Sequence, residues 1–219
     1  MALYRKDSGE VQFKIVYCGP PQGGKTTNLH YIYRRLDPRW RGDLISIDTE
    51  QNRTISFDFL PIHSTKIGEF DVKFQLYTVP GQKILKETRR AVLAGADAVV
   101  FVADSDPERR EANLESFEDC LLCLKENRIS PDSIPIVFQY NKRDIPGAVP
   151  PHELDEMFAV RHSSLLASAT SGYQVFATLD RITQMILQGF CSKSVKSEVD
   201  STPVALQRSP NGPVSVTKG

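Results

Sequence analysis

The chain has 219 residues, with 27 lysines and arginines against 27 aspartates and glutamates, so its formal net charge is zero. A balanced charge argues against nucleic acid or an anionic membrane as the main partner, and we expect no nucleic-acid partner. With 40% hydrophobic and 25% charged residues, the composition is that of a globular domain that can bury a core.

Strand and helix patterns alternate along the chain. Apolar runs rich in β-branched and aromatic residues predict strands at Phe13–Cys18, Phe57–Leu60, Val72–Tyr77, Ala98–Ala103 and Ile134–Tyr140. Apolar residues at helical spacing predict helices at Lys25–Leu36, Ile84–Leu93, Glu108–Glu126 and Val175–Leu187. This alternation predicts an α/β fold, an open and mainly parallel sheet with helices on both faces. Ligands of such sheets bind beyond the carboxyl ends of the strands.

The character of the sequence changes near Cys191. Serines, prolines and scattered charges replace the apolar periodicity, and such a stretch buries too little apolar surface to offset its ordering entropy. We therefore predict one folded domain over residues 1–189 and a disordered tail over residues 190–219.

Neither end of the sequence carries a targeting signal. Residues 1–6 lack the apolar run of a signal peptide, and no apolar stretch approaches membrane-spanning length. Ala2 is incompatible with myristoylation, and residues 216–219 do not form a prenylation signal. We expect a cytoplasmic protein with no lipid anchor and no transmembrane segment.

Four cysteines occur in the chain, and two of them, Cys120 and Cys123, form a C-x-x-C pair. Zinc requires four ligands at matched spacing, and the sequence has no second Cys or His pair at a spacing that would complete such a site. The pair falls on the apolar side of a predicted helix, so we interpret the cysteines as reduced and buried.

The segment Gly19–Thr26 matches G-x-x-x-x-G-K-[ST] completely, between a predicted strand and a predicted helix. Such a P-loop turns backbone N–H groups and the positive end of the helix dipole toward phosphate. We expect Lys25 to reach the β- and γ-phosphates and the Thr26 hydroxyl to bind Mg²⁺. The predicted nucleotide contacts here are Gly19, Gln22, Gly23, Gly24, Lys25, Thr26 and Thr27. The segment therefore predicts a P-loop NTPase. The alternative, which we disfavour, is that these residues form a glycine-rich turn by chance.

A second motif follows the strand that ends at Tyr140. Asn141–Asp144 reads N-K-x-D and resembles the guanine-recognition motif of small GTPases. A carboxylate at Asp144 accepts hydrogen bonds from guanine N1–H and the exocyclic amine, whereas adenine leaves it unpaired, which disfavours an ATPase or kinase. The predicted base contacts are Asn141, Lys142 and Asp144, with Ser168, Ala169 and Thr170 as a weaker match to the S-A-K motif.

A third segment, Thr78–Gln82, ends a predicted strand where small GTPases carry D-x-x-G-Q. By that resemblance, the N–H of Gly81 contacts the γ-phosphate and Gln82 orients the attacking water. Thr78 replaces the aspartate that supports magnesium through water. A neutral hydroxyl gives weaker electrostatic support, so we expect reduced magnesium affinity.

Together these motifs resemble the MglA family of bacterial Ras-like GTPases, which set cell polarity and gliding motility. The resemblance covers roughly residues 12–189 and rests on Thr49–Thr54, Phe57–Pro61, Leu76–Gln82, Phe101–Ser105 and Gln139–Asp144. It implies that Thr54 ligates magnesium when the γ-phosphate is present. It also implies that Arg53 is an arginine finger supplied in cis, catalytic together with Lys25 and Gln82. A solvated loop arginine is the alternative for Arg53.

The family resemblance also implies partners. One is a roadblock-type, MglB-like homodimer that activates hydrolysis by reorganising the switch regions. The others are effectors that bind the GTP state, and partners of this kind would concentrate the protein at a cell pole. Pro21 stands where the family usually has glycine, and proline lacks an N–H and projects a ring. We therefore hypothesise that nucleotide binding survives while turnover, or its activation, is altered.

These motifs predict a slow molecular switch that binds GTP or GDP with Mg²⁺ and hydrolyses GTP to GDP and phosphate. The alternative is a non-hydrolysing scaffold that holds nucleotide for structure only, motivated by Pro21 and Thr78. The presence of Gln82 and Arg53 argues against that scaffold, which needs neither.

Overall fold

The computed structural model describes residues 3–5, 9–48, 56–67, 69–79, 86–159, 164–194, 207–209 and 212–215. The strands are β1 (Leu3–Arg5), β2 (Glu10–Cys18), β3 (Ile45–Asp48), β4 (Ser56–Ile67), β5 (Phe70–Thr78), β6 (Ala98–Asp104), β7 (Ile136–Asn141), β8 (Leu165–Leu166), β9 (Gln207–Ser209) and β10 (Gly212–Ser215). The helices are α1 (Lys25–Arg35), α2 (Lys86–Leu93), α3 (Arg110–Glu126), α4 (Pro151–Met157) and α5 (Val175–Ser194). Within this described part of the chain, no helix combines the length and apolar character needed to cross a bilayer.

One sheet organises the fold, with the strand order β3-β4-β5-β2-β6-β7-β8 and β1 paired to β2. The strands from β5 to β8 along this order are mutually parallel, while β1, β3 and β4 pair antiparallel with their neighbours. Every residue of β6 is buried, as expected of a central strand covered on both faces. The predicted α/β fold with a mainly parallel sheet is confirmed.

Alternation along β2 divides the core into two layers. Phe13, Ile15 and Tyr17 pack on the side of the sheet that is covered by α1 and α5. Val16 and Cys18 point to the opposite side, where α2, α3 and α4 cover the sheet. Cys120 and Cys123 of α3 are buried in this second layer as free thiols, in agreement with the prediction.

Several elements differ from the prediction, which lacks β1, β3, β8 and α4 and ends β4 too early. Strand β4 runs to Ile67, well past Leu60, because its antiparallel pairing with β5 continues beyond the apolar run and through a register shift between His63 and Lys66. Edge strand β3 is absent from the prediction because the alternation of Ile45 and Ile47 with Ser46 and Asp48 spans only four residues.

Helix α5 reaches Ser194, seven residues beyond the predicted end at Leu187 and past the predicted domain boundary at residue 189. The aromatic ring of Phe190 lies 5.4 Å from that of Phe13 and 6.4 Å from that of Phe70, so packing extends the helix. Beyond it, the structure describes only the short antiparallel pair β9 and β10 within the predicted tail.

Candidate nucleotide site

The loop between β2 and α1, Gly19–Thr26, lies at the carboxyl end of the central strands. Its backbone requires glycine at two positions, since Gly19 has φ 141° and Gly24 has φ 99°. A Cβ on Gly19 would lie 2.2 Å from the Val102 carbonyl oxygen, and one on Gly24 would lie 2.1 Å from Asn141 Nδ2. The loop therefore wraps closely against β6 and β7 before it opens α1, whose amino end favours an anion.

Lys25 opens α1 and folds its side chain back into the loop. Its Nζ donates hydrogen bonds to the carbonyl oxygens of Gly19 (2.8 Å) and Pro20 (2.6 Å). The residue is only 7% exposed, and this burial lowers the pKa of Lys25 to about 8. An ammonium held at the mouth of such a loop is suited to phosphate oxygens, which would restore the solvation that burial removes.

Thr26, the next residue, donates its hydroxyl to the Asp58 carboxylate of β4, at 2.6 Å from Oδ2. The same Oδ2 accepts the Thr78 hydroxyl at 3.0 Å, and the Asp58 backbone N–H donates to Thr78 Oγ1 at 2.8 Å. Ser46 of β3 donates to the other carboxylate oxygen at 2.7 Å. Asp58 is thus a buried carboxylate aimed at the P-loop threonine and fixed by two further hydroxyls.

This arrangement adds a carboxylate beside the neutral Thr78 hydroxyl, while the expected reduction in magnesium affinity stays a prediction. A carboxylate is present, but it comes from Asp58 on the antiparallel neighbour of the strand that ends at Thr78. Sequence reasoning missed Asp58, although a signal existed: an aspartate between Phe57 and Phe59 points away from both apolar side chains in an extended strand. Only the pairing of β4 with β5 shows that it faces Thr78.

The predicted guanine motif lies beside the P-loop at the end of β7. Asn141 Nδ2 donates to the Gly23 carbonyl at 2.8 Å, and Asn141 Oδ1 accepts the Ala169 backbone N–H at 2.8 Å. Lys142, with φ 65°, places its Nζ 2.6 Å from a carboxylate oxygen of Asp104, which is fully buried. Asn141 therefore joins the phosphate loop to the predicted base-binding loop.

Asp144 and the segment Ser168–Thr170 face each other in the predicted base-binding part of the site. The Ser168 hydroxyl is the main cause of a lowered pKa at Asp144, assisted by the Asp144 backbone N–H and the Thr170 hydroxyl. Asp144 therefore stays ionised over the physiological range, as an acceptor for guanine requires. Thr170 also lies 3.0 Å from Ser168, oxygen to oxygen.

Most of the predicted site residues are thus brought together. Gly19, Gln22, Gly23, Gly24, Lys25 and Thr26 form the loop, Thr27 lies partly buried in the first turn of α1, and Asn141, Lys142, Asp144, Ser168, Ala169 and Thr170 lie beside it. Four predicted residues, Arg53, Thr54, Gly81 and Gln82, lie outside the described residues, so their roles remain predictions.

Comparison with known proteins agrees with this geometry. A sequence profile of the ADP-ribosylation factor family matches residues 2–192. The chain is 45% identical over 190 residues to the mutual gliding-motility protein MglA of Myxococcus xanthus (strain DK1622), covering 85% of this chain and 96% of that protein. It is also 30% identical over 185 residues to mouse ADP-ribosylation factor-like protein 4D, and 28% identical over 183 residues to its human counterpart, in each case covering 80% of this chain and 83% of the relative. The chain therefore belongs to the ADP-ribosylation factor family and is a Ras-like small GTPase, a guanine-nucleotide switch that hydrolyses GTP.

Proposed function

We propose that this GTPase is a magnesium-dependent switch for bacterial motility and polarity, and that Asp58 supplies the carboxylate of its metal site. The observation that carries the metal assignment is the 2.6 Å hydrogen bond between the Thr26 hydroxyl and Asp58 Oδ2. A hydroxyl and a carboxylate offer hard oxygen ligands and one negative charge, a donor set that fits Mg²⁺. When bound, the ion would neutralise negative charge on the β- and γ-phosphates.

Different residues of the described site bind the phosphates and the base of the nucleotide. Lys25 exchanges its two carbonyl acceptors for phosphate oxygens, whose negative charge keeps the ammonium protonated. Asn141 holds the loop and the base-binding segment in register, and the ionised Asp144 accepts the donors of guanine. These contacts bind both GDP and GTP, so they supply affinity rather than the switch.

The switch itself depends on the γ-phosphate. By the family resemblance, Thr54 and Gly81 contact it through magnesium and through a backbone N–H, which orders both segments and creates the effector surface. Gln82 orients the attacking water, and Arg53 neutralises the charge that develops in transfer. Hydrolysis removes these contacts and releases the effector.

The motility role rests on the 45% identity to a protein named for gliding motility. The expected activator is a roadblock-type homodimer that rearranges the switch segments and leaves the arginine to be supplied in cis. Effectors would recognise the GTP state. Protein partners of this kind would place a cytoplasmic protein at one cell pole.

Turnover of GTP by the purified protein with Mg²⁺, alone and with a roadblock-type partner, tests this proposal. We expect slow basal hydrolysis that rises several-fold with the partner and is lost in Arg53→Ala and Gln82→Ala. Tight GTP binding without turnover in both conditions would contradict it and would favour the scaffold instead. Membership in a family of GTP hydrolases argues for the first outcome.

A further inference from the structure

Three polar side chains form a hydrogen-bonded network inside the core between the sheet and its helices. They are Asn28 in the first turns of α1, Gln139 in β7 and Thr178 in the first turn of α5, and each is 0% exposed. Asn28 Nδ2 donates to Gln139 Oε1 at 2.9 Å, and Gln139 Nε2 donates back to Asn28 Oδ1 at 3.1 Å. Gln139 Nε2 also donates to Thr178 Oγ1 at 2.8 Å.

The network ends on the phosphate loop. Asn28 Nδ2 also donates to the carbonyl oxygen of Gly24 at 2.9 Å, and the Thr178 hydroxyl donates to the Gln174 carbonyl at 2.8 Å. Both amide groups thus use both N–H donors and their carbonyl oxygen. A buried polar network is tolerated only when it is satisfied in this way.

Stability alone gives little reason for these residues. The surrounding layer is apolar, formed by residues such as Leu29, Ile32 and Leu179. Replacing both partners of a buried hydrogen bond by apolar groups of similar shape is nearly neutral for stability. We therefore look for the role of the network in the group that it contacts on the phosphate loop, the carbonyl of Gly24.

Two successive carbonyls of the loop are held from the same strand. Gln139 and Asn141 are two residues apart on β7, so their side chains share one face. Asn141 bonds the Gly23 carbonyl directly. Gln139 fixes the Asn28 side chain, which bonds the Gly24 carbonyl beside the Asn28 backbone N–H at 3.0 Å. A trans peptide places its N–H opposite its C=O. Fixing these two carbonyls therefore aims the Gly24 N–H away from Asn141 and the Lys25 N–H away from Asn28.

We propose that Asn28 and Gln139 are positioning residues for phosphate binding, which orient the Gly24 and Lys25 backbone N–H groups toward the nucleotide β-phosphate. The proposal rests on the nucleotide site proposed above. Through Thr178, the same network ties the phosphate loop to α5, so the loop, the strand preceding the guanine motif and the C-terminal helix share one polar contact.

The test uses the full chain with Asn28→Leu, Gln139→Leu and the double variant. Each single variant leaves an amide buried without its partner, so we expect a lower melting temperature in the nucleotide-free state. The double variant removes both polar groups, and its melting temperature should return close to the wild-type value. We nevertheless expect about tenfold weaker GDP binding in the double variant, with GMP binding changed less than about twofold, because GMP lacks the β-phosphate.

Thr183→Val is the matched control, since Thr183 is a buried threonine of α5 that donates to the Leu179 and Asp180 carbonyls of its own helix. It removes a buried hydroxyl that has no contact with the phosphate loop, so it should leave the ratio of GDP to GMP affinity unchanged. A double variant with a wild-type melting temperature and a wild-type affinity ratio would overturn the positioning role. Failure of the wild type itself to bind GDP would instead overturn the nucleotide site.

If the double variant does not fold, Asn28→Ser and Asn28→Ala carry the test. A serine in a helix can donate to the carbonyl four residues before it, here that of Gly24, whereas alanine cannot. Both lose the contact with Gln139, so they are matched in that respect. We expect weaker GDP binding, relative to GMP, in the alanine variant than in the serine variant, and equal ratios would contradict the proposal.

Discussion

The hydroxyl of Thr26 donates a 2.6 Å hydrogen bond to the carboxylate of Asp58, which lies on the antiparallel strand beside the one that ends in Thr78. A carboxylate thus reaches the P-loop threonine, but from β4 rather than from the end of β5. The Thr78 hydroxyl is retained as a donor that orients this carboxylate at 3.0 Å. The site therefore has a carboxylate, but Asp58 supplies it from a position 20 residues before Thr78, where the family carries its aspartate.

Asp58→Asn tests this relocation. The amide keeps the shape but loses the charge, so we expect about tenfold more Mg²⁺ to be needed to retain bound GDP, or ~1.4 kcal/mol. Adding Thr78→Asp returns a carboxylate at the family position and should recover part of the loss. Magnesium titration of GDP release measures both effects.

Ser46→Ala provides the control for this pair, because it removes one hydrogen bond to Asp58 and leaves the charge. Its magnesium requirement should change less than about twofold, a much smaller effect than that of charge removal. An unchanged requirement in Asp58→Asn would show that this carboxylate does not support the metal.

The contrast between Lys25 and Asp58 shows which part of the site could be predicted from the sequence. Lys25 and the glycines around it belong to one local motif, where spacing alone specifies the loop conformation. Asp58 acts across a strand pair, and its partner is set by the register of β4 on β5, which no local pattern shows. The end of α5 was missed for the same reason, since it depends on contacts of Phe190 with distant aromatic residues.

The buried ammonium of Lys25 should make the stability of the nucleotide-free protein depend on pH. Burial lowers the pKa of Lys25 from 10.5 to about 8, so between these values the unfolded chain binds one more proton than the folded chain. Stability therefore rises with pH across this window, and below pH 8 the folded state carries the full cost of burying the charge. Lys25→Met removes that cost, and we expect a gain of about 1 to 3 kcal/mol in the free energy of unfolding at pH 7.

Urea unfolding of both nucleotide-free proteins at pH 7 and pH 9.5 measures this difference. The advantage of Lys25→Met should shrink at the higher pH, where the wild-type lysine folds without its proton. With GDP present the order should reverse, since only the wild type gains stability from the ligand. An advantage of equal size at both pH values would show that Lys25 does not titrate as described.

Gly24→Ala should weaken nucleotide binding strongly. The residue has φ 99°, and its new Cβ would lie 2.1 Å from Asn141 Nδ2. That amide cannot move freely, because it bonds both the Gly23 carbonyl and, through its oxygen, the Ala169 N–H. We expect at least about a hundredfold loss of GDP affinity, or ~2.7 kcal/mol, by fluorescent-nucleotide titration.

The matched variant for this clash is Gly147→Ala. Gly147 also has a positive φ, 70°, but no atom lies within 4 Å of the position of its Cβ. Gly147→Ala should lose about 1 kcal/mol of stability through backbone strain alone, and its GDP affinity should be unchanged. Equal affinity losses in the two variants would assign the effect to backbone strain and not to the contact with Asn141.

Pro21→Gly should raise the rate of GTP hydrolysis while GDP affinity stays within about twofold of wild type. The Pro21 carbonyl accepts a 2.7 Å hydrogen bond from Arg109 Nη2, so the loop is held on the α3 side through an atom that glycine retains. What changes is the proline ring and the missing N–H, which stand where Gln82, Arg53 and water are expected to gather. Single-turnover hydrolysis, with and without activator, measures the effect, for which we expect about tenfold, or ~1.4 kcal/mol in the barrier. Identical rates in both conditions would mean that the ring does not obstruct the reaction.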